Sequence, residues 1–352
     1  MSSKTLTYLS SLIYHIPGPF SKKIVMIGNI LFHDWRINPH IGYGSEGEKA
    51  FNQYKTLDDL PDISFLDKRS QDNIRRFMFF ILMGNVIDKR RYFYNYSGLS
   101  EKLSWKQRMW LWLKKKKFCW RYHLSLLPGM TLEKSSCCFS HGLSLLPDSV
   151  TRYVENKLFI DAGAFIGDSA LSFLAYNPKR ILSFEPSPQM FNMLQNNISR
   201  ITELQEKCEI YQVALGENSG DLPFCDNLFS CCHEDIHCQS TVKQTTVDDF
   251  VAGYDACVGL IKADIEGMGL KMIRGARKTI LRDHPVLTIA VYHCPDEMFG
   301  IMEILKSWGL KYTYHYEFLD PELSLELTLI AYPEELSLSR NGLQFQKFDG
   351  GK

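Results

Sequence analysis

The sequence predicts an α/β fold in which a mostly parallel sheet of seven strands is covered by helices on both faces. From Lys157 onward, short apolar runs alternate with helical patterns, which is the order expected of parallel strands joined by helices. The two final apolar runs, 311–316 and 325–332, are joined by the turn-like segment 319–322 without a helix between them. Such a connection indicates an antiparallel pair, which would close five parallel units into a seven-stranded sheet.

Each element follows from its own apolar pattern. The five parallel strands are predicted at 158–160, 181–184, 210–215, 258–263 and 286–292. Helices are predicted at 169–176, 188–198, 246–251, 270–281 and 296–308. Thr246 is a residue type that caps a helix, and Asp248 and Asp249 favour the first turn behind it. An irregular insertion is predicted between the third strand and Thr246.

The pattern divides the chain into three parts. Residues 1–150 are predicted to form a smaller accessory domain, mixed α/β or helical, with a strand at 23–28 and helices near 75–87 and 105–117. Residues 151–335 carry the sheet, and residues 336–352 form a tail. The stretch 134–156 contains Gly142 and Pro147 and is predicted to connect the first two parts. For the accessory domain we expect substrate recognition or dimerisation.

The composition is that of an ordinary globular protein. The 40 basic residues balance the 40 acidic ones, but residues 1–150 hold 22 basic and 12 acidic residues, which leaves 18 and 28 for the rest. The apolar run 77–87 is too short to cross a bilayer and predicts a buried helix. Ten cysteines without a recognisable secretion signal favour thiols in a reducing cytoplasm. A balanced charge without a nucleic-acid motif disfavours nucleic acid as a partner.

A glycine turn and an acid follow the first two predicted strands. The segment Asp161-Ala162-Gly163-Ala164-Phe165-Ile166-Gly167-Asp168 offers glycines, which let the backbone approach a ligand, and the start of a helix, whose N–H groups bind a carboxylate. Its spacing is not Gly-x-Gly-x-x-Gly, which counts against a pyrophosphate and therefore against an NAD-dependent sugar dehydrogenase. Asp161 is placed to face an ammonium group. Glu185, which follows the second strand, is placed to accept hydrogen bonds from ribose hydroxyls.

In this set of motifs the chain resembles the FkbM family of methyltransferases. The other matching stretches are Phe184-Glu185-Pro186-Ser187-Pro188, Thr245-Thr246-Val247-Asp248-Asp249-Phe250, Ile261-Lys262-Ala263-Asp264-Ile265-Glu266-Gly267 and Ile273-Arg274-Gly275-Ala276. Val291-Tyr292-His293, followed by Pro295-Asp296-Glu297, resembles a branch of that family found among bacterial polysaccharide-biosynthesis proteins.

The resemblance implies a Rossmann-like class I methyltransferase domain with S-adenosylmethionine as its cofactor. It also implies O-methylation of a sugar hydroxyl in a polysaccharide or its precursor. The implied cofactor contacts are Asp161, Gly163, Ala164, Phe165, Gly167, Asp168, Glu185, Pro186, Ala214 and Asp264.

Three residues are candidates for the proton acceptor that methyl transfer to a hydroxyl needs. Asp264 and Glu266 follow the fourth predicted strand, at the carboxyl edge where parallel sheets bind ligands. His293 follows the fifth strand at the same edge, and an unperturbed histidine has a pKa near ~6.5. A packing or capping role for His293 stays open.

One position departs from the family pattern. The family usually carries a second acid two residues after Gly267, and here that residue is Gly269. This glycine leaves open a non-catalytic module that binds S-adenosylmethionine within a polysaccharide assembly complex. Independently of Gly269, a methyltransferase acting on a small molecule other than a sugar also stays open.

Two further segments are unusual in composition. The segment 225–238 is rich in Cys and His but lacks paired Cys-x-x-Cys spacing, so no metal site is predicted. Residues 102–121 hold eight basic residues interleaved with four tryptophans. This pattern suits contact with a lipid-linked glycan or with the inner face of a membrane, and it also fits a solvated helix with one packed face.

Overall fold

The computed structural model describes residues 51–54, 56–86, 104–122, 133–224, 240–320 and 326–338. The strands in these ranges are β1 (Leu158–Ala162), β2 (Arg180–Phe184), β3 (Cys208–Tyr211), β4 (Ala214–Leu215), β5 (Gly220–Phe224), β6 (Ser240–Thr245), β7 (Val258–Ala263), β8 (Val286–Ala290), β9 (Tyr312–Phe318) and β10 (Leu327–Pro333). The helices are α1 (Lys68–Val86), α2 (Trp105–Arg121), α3 (Lys134–Cys137), α4 (Asp148–Val154), α5 (Asp168–Phe173), α6 (Pro188–Ile198), α7 (Thr202–Lys207), α8 (Val247–Val251), α9 (Gly269–Gly275), α10 (Arg277–Asp283) and α11 (Ile301–Ser307).

Seven strands form one sheet in the order β3-β2-β1-β7-β8-β10-β9. The first five of these are parallel, whereas β10 runs antiparallel to both of its neighbours. The predicted seven-stranded, mostly parallel sheet with a closing antiparallel pair is therefore confirmed. The chain builds outward from β1 to β3 and then returns to the other side of β1 with β7. A ligand crevice is expected at this point, where the loops after β1 and β7 diverge.

The third predicted strand, 210–215, is two strands in the structure. The chain leaves the large sheet after Tyr211, and β4 pairs with β6 in a separate sheet of order β4-β6-β5. The apolar pattern continues through both strands, so periodicity alone does not reveal the change of partner.

The predicted helix 270–281 is also interrupted. It leaves helical geometry at Ala276, because the Asp248 carboxylate accepts the N–H groups of Lys278 and Thr279 and so starts a new helix. The predicted cap at Thr246 is confirmed, since its hydroxyl accepts the N–H of Asp249.

Alternate residues of the strands point to two cores, one on each face of the sheet. Leu158 and Ile160 face the core that contains α1, whereas Phe159 faces the core that contains α3 and α4. The described parts of residues 51–150 contribute to these same cores. The expected accessory domain is thus not a separately packed unit within the part of the chain that the structure describes.

Specific polar contacts fix α1 on the antiparallel edge of the sheet. Arg69 Nε lies 2.7 Å from a Glu317 carboxylate oxygen, and the Asn73 amide donates to the Tyr316 carbonyl at 2.7 Å. Phe77 and Met78 are buried, as predicted for the apolar run. The predicted strand at 23–28 and the segment 225–238 lie outside the described residues.

Candidate active site

The glycine turn after β1 lies against the loop after β7. Gly163 has a φ of +73°, and a Cβ at this position would lie 2.0 Å from the Asp264 carbonyl oxygen. Gly167, with a φ of +91°, is the residue before α5. Glycine is therefore required at 163 because two loops of the protein meet there and because the backbone is left-handed.

Glu185 is fixed by two backbone N–H groups at the end of β2. Its side chain is buried, and its two oxygens accept from Phe165 N and Ser187 N, each at 2.9 Å. Burial raises the pKa of Glu185 to about 7. A carboxylate has roughly four acceptor positions, so about two remain for hydroxyl donors. This arrangement fits a ribose diol, which is the part of the cofactor that Glu185 is expected to bind.

Asp161 has its cationic partner within the protein. Its carboxylate is fully buried, lies 3.2 Å from Lys262 Nζ and accepts the Ser169 hydroxyl at 2.6 Å. The contact of Asp161 with the ammonium group of a ligand stays a prediction. Lys262 also donates to the Gly163 carbonyl at 2.7 Å, so the Lys262–Asp161 ion pair stabilises the glycine turn.

Asp168 is likewise turned into the protein. Its buried carboxylate accepts the Ser136 hydroxyl of α3 at 2.6 Å. The other expected cofactor contacts stay predictions: Ala164 is buried in the turn, Phe165 is 40% exposed at its rim, Pro186 is half-buried beside Glu185, and Ala214 is buried in β4.

The three candidate proton acceptors lie together at the carboxyl edge of the sheet. His293 Nε2 lies 3.5 Å from Asp264 Oδ1 and 3.6 Å from Glu266 Oε2. On its other side, His293 Nδ1 lies 3.0 Å from Glu297 Oε2. We call these four residues the His293 cluster. Their convergence confirms that the two strand ends meet, and it adds Glu297, which the sequence does not predict as a site residue.

Two residues of the His293 cluster, His293 and Glu266, have shifted pKa values. Burial alone would lower the pKa of His293, but Glu297, Glu266 and Asp264 outweigh burial and raise the pKa to about 9. Burial raises the pKa of Glu266 to about 7, against the opposing effect of His293. These pKa values favour a protonated His293 near neutral pH and make Glu266 the stronger candidate for the proton acceptor. The role of each residue stays a prediction.

Glu297 also contacts the glycine at position 269. The Gly269 N–H donates to Glu297 Oε1 at 2.7 Å, and a Cβ on residue 269 would lie 2.7 Å from that same oxygen. An acidic side chain at 269 would require the Glu297 carboxylate to move. The cluster thus has a buried carboxylate at the place where the family's second acid would begin.

Several residues that line the site come from segments without a recognisable motif. The cavity beside Asp264 and Lys262 is lined by Ser135, His141 and Glu326 from such segments, and by Tyr292 from the motif at 291–293. The Tyr292 hydroxyl donates to Asp264 Oδ1 at 3.2 Å, and burial raises the pKa of Glu326 to about 8. The segment 134–156, predicted as a connection, supplies part of this wall. Only the polar residues at 135–136 and 141 offered a signal, and their spacing fits no known pattern.

One protein-family model matches part of the chain. Residues 161–316, from within β1 to within β9, match the family model of the methyltransferase FkbM domain. No curated protein matches the sequence.

Solved structures with a similar chain path include methyltransferases. A methyltransferase FkbM from Methylobacillus flagellatus KT is 18% identical, with a TM-score of 0.48 over 82% of this chain and 59% of its own length. The present chain therefore spans less than two thirds of that protein. An O-methyltransferase from Bacillus cereus in complex with SAH is 11% identical, with a TM-score of 0.37 over 63% of this chain and 91% of its own.

The N-terminal domain of human METTL16, in complex with SAH, is 14% identical, with a TM-score of 0.37 over 66% of this chain and 84% of its own. The family match coincides with the sheet, the glycine turn and the His293 cluster described above. Residues 161–316 of this chain thus match the methyltransferase FkbM domain, and this region includes strands of the mostly parallel seven-stranded sheet.

Proposed function

We propose that the protein methylates a hydroxyl oxygen of a sugar, in a polysaccharide or its precursor. The observation that supports this most strongly is the position of Glu266, whose pKa is near neutrality, within a cluster beside the cofactor turn. When bound, S-adenosylmethionine supplies an electrophilic methyl group. The residues of the His293 cluster then have to orient the attacking hydroxyl and take its proton.

Glu266 is the proposed proton acceptor. Its backbone has a φ of +52° and is followed by Gly267 with a φ of +91°, so a tight turn presents the carboxylate at the end of β7. The Glu266 side chain is 37% exposed, which leaves it accessible to an acceptor. As the new carbon–oxygen bond forms and the carbon–sulfur bond breaks, the hydroxyl proton passes to Glu266. The His293 imidazolium, held by Glu297, keeps Glu266 and Asp264 in place.

The acceptor side favours a neutral, hydroxyl-rich molecule. Asp264 lines the cavity and, when ionised, can only accept hydrogen bonds, which suits the hydroxyl donors of a sugar.

The alternative of a non-catalytic module rested on Gly269. Since Glu297 places a carboxylate beside that residue, the glycine does not by itself remove an acid from the cluster. The contact between Gly269 and the Glu297 carboxylate therefore supports catalysis as the proposed function.

Transfer of a labelled methyl group from S-adenosylmethionine into polysaccharide extracted from the host tests the proposal. We expect incorporation that survives mild acid and base, as a methyl ether does. A Glu266→Gln variant should lose about 100- to 10,000-fold in kcat, the usual contribution of a general base. Glu203→Gln, an exposed change on α7, is the matched control. Label on nitrogen, or equal turnover of both variants, would rule out the proposed chemistry.

A further inference from the structure

Helix α2 carries an exposed stripe of large apolar side chains. Trp105 is 68% exposed, Trp112 58% and Trp120 78%, and Met109 and Leu113 are exposed as well. At 100° per residue these five positions fall within an arc of about 100° on the helix, and the exposed Lys116 lies in the same arc. We call this surface the tryptophan stripe. Single exposed apolar residues are common, but five large exposed apolar side chains on one helix face mark an interaction surface.

The opposite side of α2 attaches the helix to the protein. Leu111 is buried, and the Trp110 ring lies 6.0 Å from that of Phe139. Lys114 Nζ donates to the Cys138 carbonyl at 3.3 Å. At its start, α2 is capped by Ser104, whose hydroxyl accepts the Gln107 N–H. Because packing fixes this face, the tryptophan stripe is directed away from the protein.

Basic residues flank the stripe on both sides. By the same helical geometry Lys106 and Lys117 lie along one border, and Arg108 lies along the other. All three are exposed, and the sequence of α2 contains no Asp or Glu. The surface therefore presents apolar and amphipathic rings between positive charges, which is complementary to a layer of anionic head groups above acyl chains.

We propose that the tryptophan stripe docks the protein on the surface of an anionic lipid bilayer. Tryptophan rings favour the interface between head groups and hydrocarbon, and flanking lysines and arginines add attraction to anionic lipid. None of the described helices is long and apolar enough to cross a membrane, so the contact is with the surface. The helix α3, which packs on α2, contributes Ser135 to the cavity, so docking would hold that wall of the site near the lipid.

Vesicle flotation with the full chain tests the proposal. The probes are vesicles of phosphatidylcholine alone, and vesicles in which about one third of the lipid is phosphatidylglycerol. We expect binding to the anionic vesicles and little to the neutral ones. The variant Lys106→Gln/Arg108→Gln/Lys117→Gln should bind about 100-fold more weakly, because each basic residue near such a surface contributes about fivefold. Trp105→Ala/Trp112→Ala/Trp120→Ala should also release the protein.

A matched control removes three exposed basic residues elsewhere, in the variant Arg200→Gln/Lys278→Gln/Lys311→Gln. It should bind like the wild type, and circular dichroism should show that every variant is folded. Equal loss in the control and in the α2 variant would mean that net charge alone drives binding, which contradicts the proposal. It is equally contradicted if the wild type ignores anionic vesicles, or if the tryptophan variant only dissociates a dimer while vesicle binding is unchanged. The outcome does not depend on the acceptor being a sugar, because no methyl transfer is measured.

Discussion

The cofactor side and the acceptor side of the crevice are built in different ways. On the cofactor side, Gly163 and Glu185 follow adjacent strands, and two backbone N–H groups hold the Glu185 carboxylate. On the acceptor side, Glu266 and His293 depend on side-chain contacts between separate strand ends, and part of the wall comes from residues before β1. A local motif thus organises one half of the site and tertiary contacts organise the other. Substitutions should therefore separate cofactor binding from catalysis.

The largest effect on stability is expected at Lys262, because this residue connects the cofactor side and the acceptor side of the crevice. Lys262 lies on β7, pairs with the buried Asp161 and donates to the Gly163 carbonyl. Lys262→Met would leave the Asp161 carboxylate buried without its cation, which should cost about 3–5 kcal/mol in free energy of unfolding. Urea denaturation measures this loss.

An exposed ion pair supplies the control for that measurement. Lys243 and Asp221 lie 2.7 Å apart, but their side chains are 76% and 60% exposed. Lys243→Met should therefore change the free energy of unfolding by less than about 1 kcal/mol. If both methionine variants unfold at the same urea concentration, the Lys262–Asp161 ion pair does not make the expected contribution to the free energy of unfolding.

A smaller effect, confined to the acceptor side, is expected in the pH dependence of kcat/KM. Glu266, with a pKa of about 7, must be deprotonated, and His293, with a pKa of about 9, must keep its proton. The profile should rise through pH 7 and fall through pH 9. Glu297→Gln removes the first of the negative charges that raise the pKa of His293, so the upper limb should move down by about one pH unit.

Glu303→Gln, an exposed change in α11, is the control for Glu297 and should leave both limbs in place. An upper limb that stays near pH 9 in the Glu297 variant would show that another group sets it.

The sequence predicts the cofactor side better than the acceptor side for the same structural reason. Strand periodicity and the spacing from Gly163 to Glu185 locate two residues that are close because their strands pair. The role of Gly269 depends on the carboxylate of Glu297, which is 28 positions further along the chain. The local sequence around Gly269 and around Glu297 does not predict their contact.

Buried ion pairs are also difficult to predict from the sequence. The sequence places Asp161 correctly at the end of β1, but its direction is set by Lys262, about 100 residues away and one strand across. Such pairs leave no periodic signal. The wall formed by Ser135 and His141 was missed because a short irregular segment resembles a connection between domains until its packing is known.

The separation of the two sides is tested most directly by calorimetry of S-adenosylmethionine binding to the wild type, Glu185→Gln and Glu266→Gln. Glu185→Gln removes a charged acceptor worth about 1.5–3 kcal/mol, so its Kd should rise about ten- to a hundredfold. Glu266→Gln should bind the cofactor within about twofold of the wild type while its turnover falls. Equal Kd values for the wild type and Glu185→Gln, or a loss of affinity in Glu266→Gln as large as in Glu185→Gln, would contradict this account.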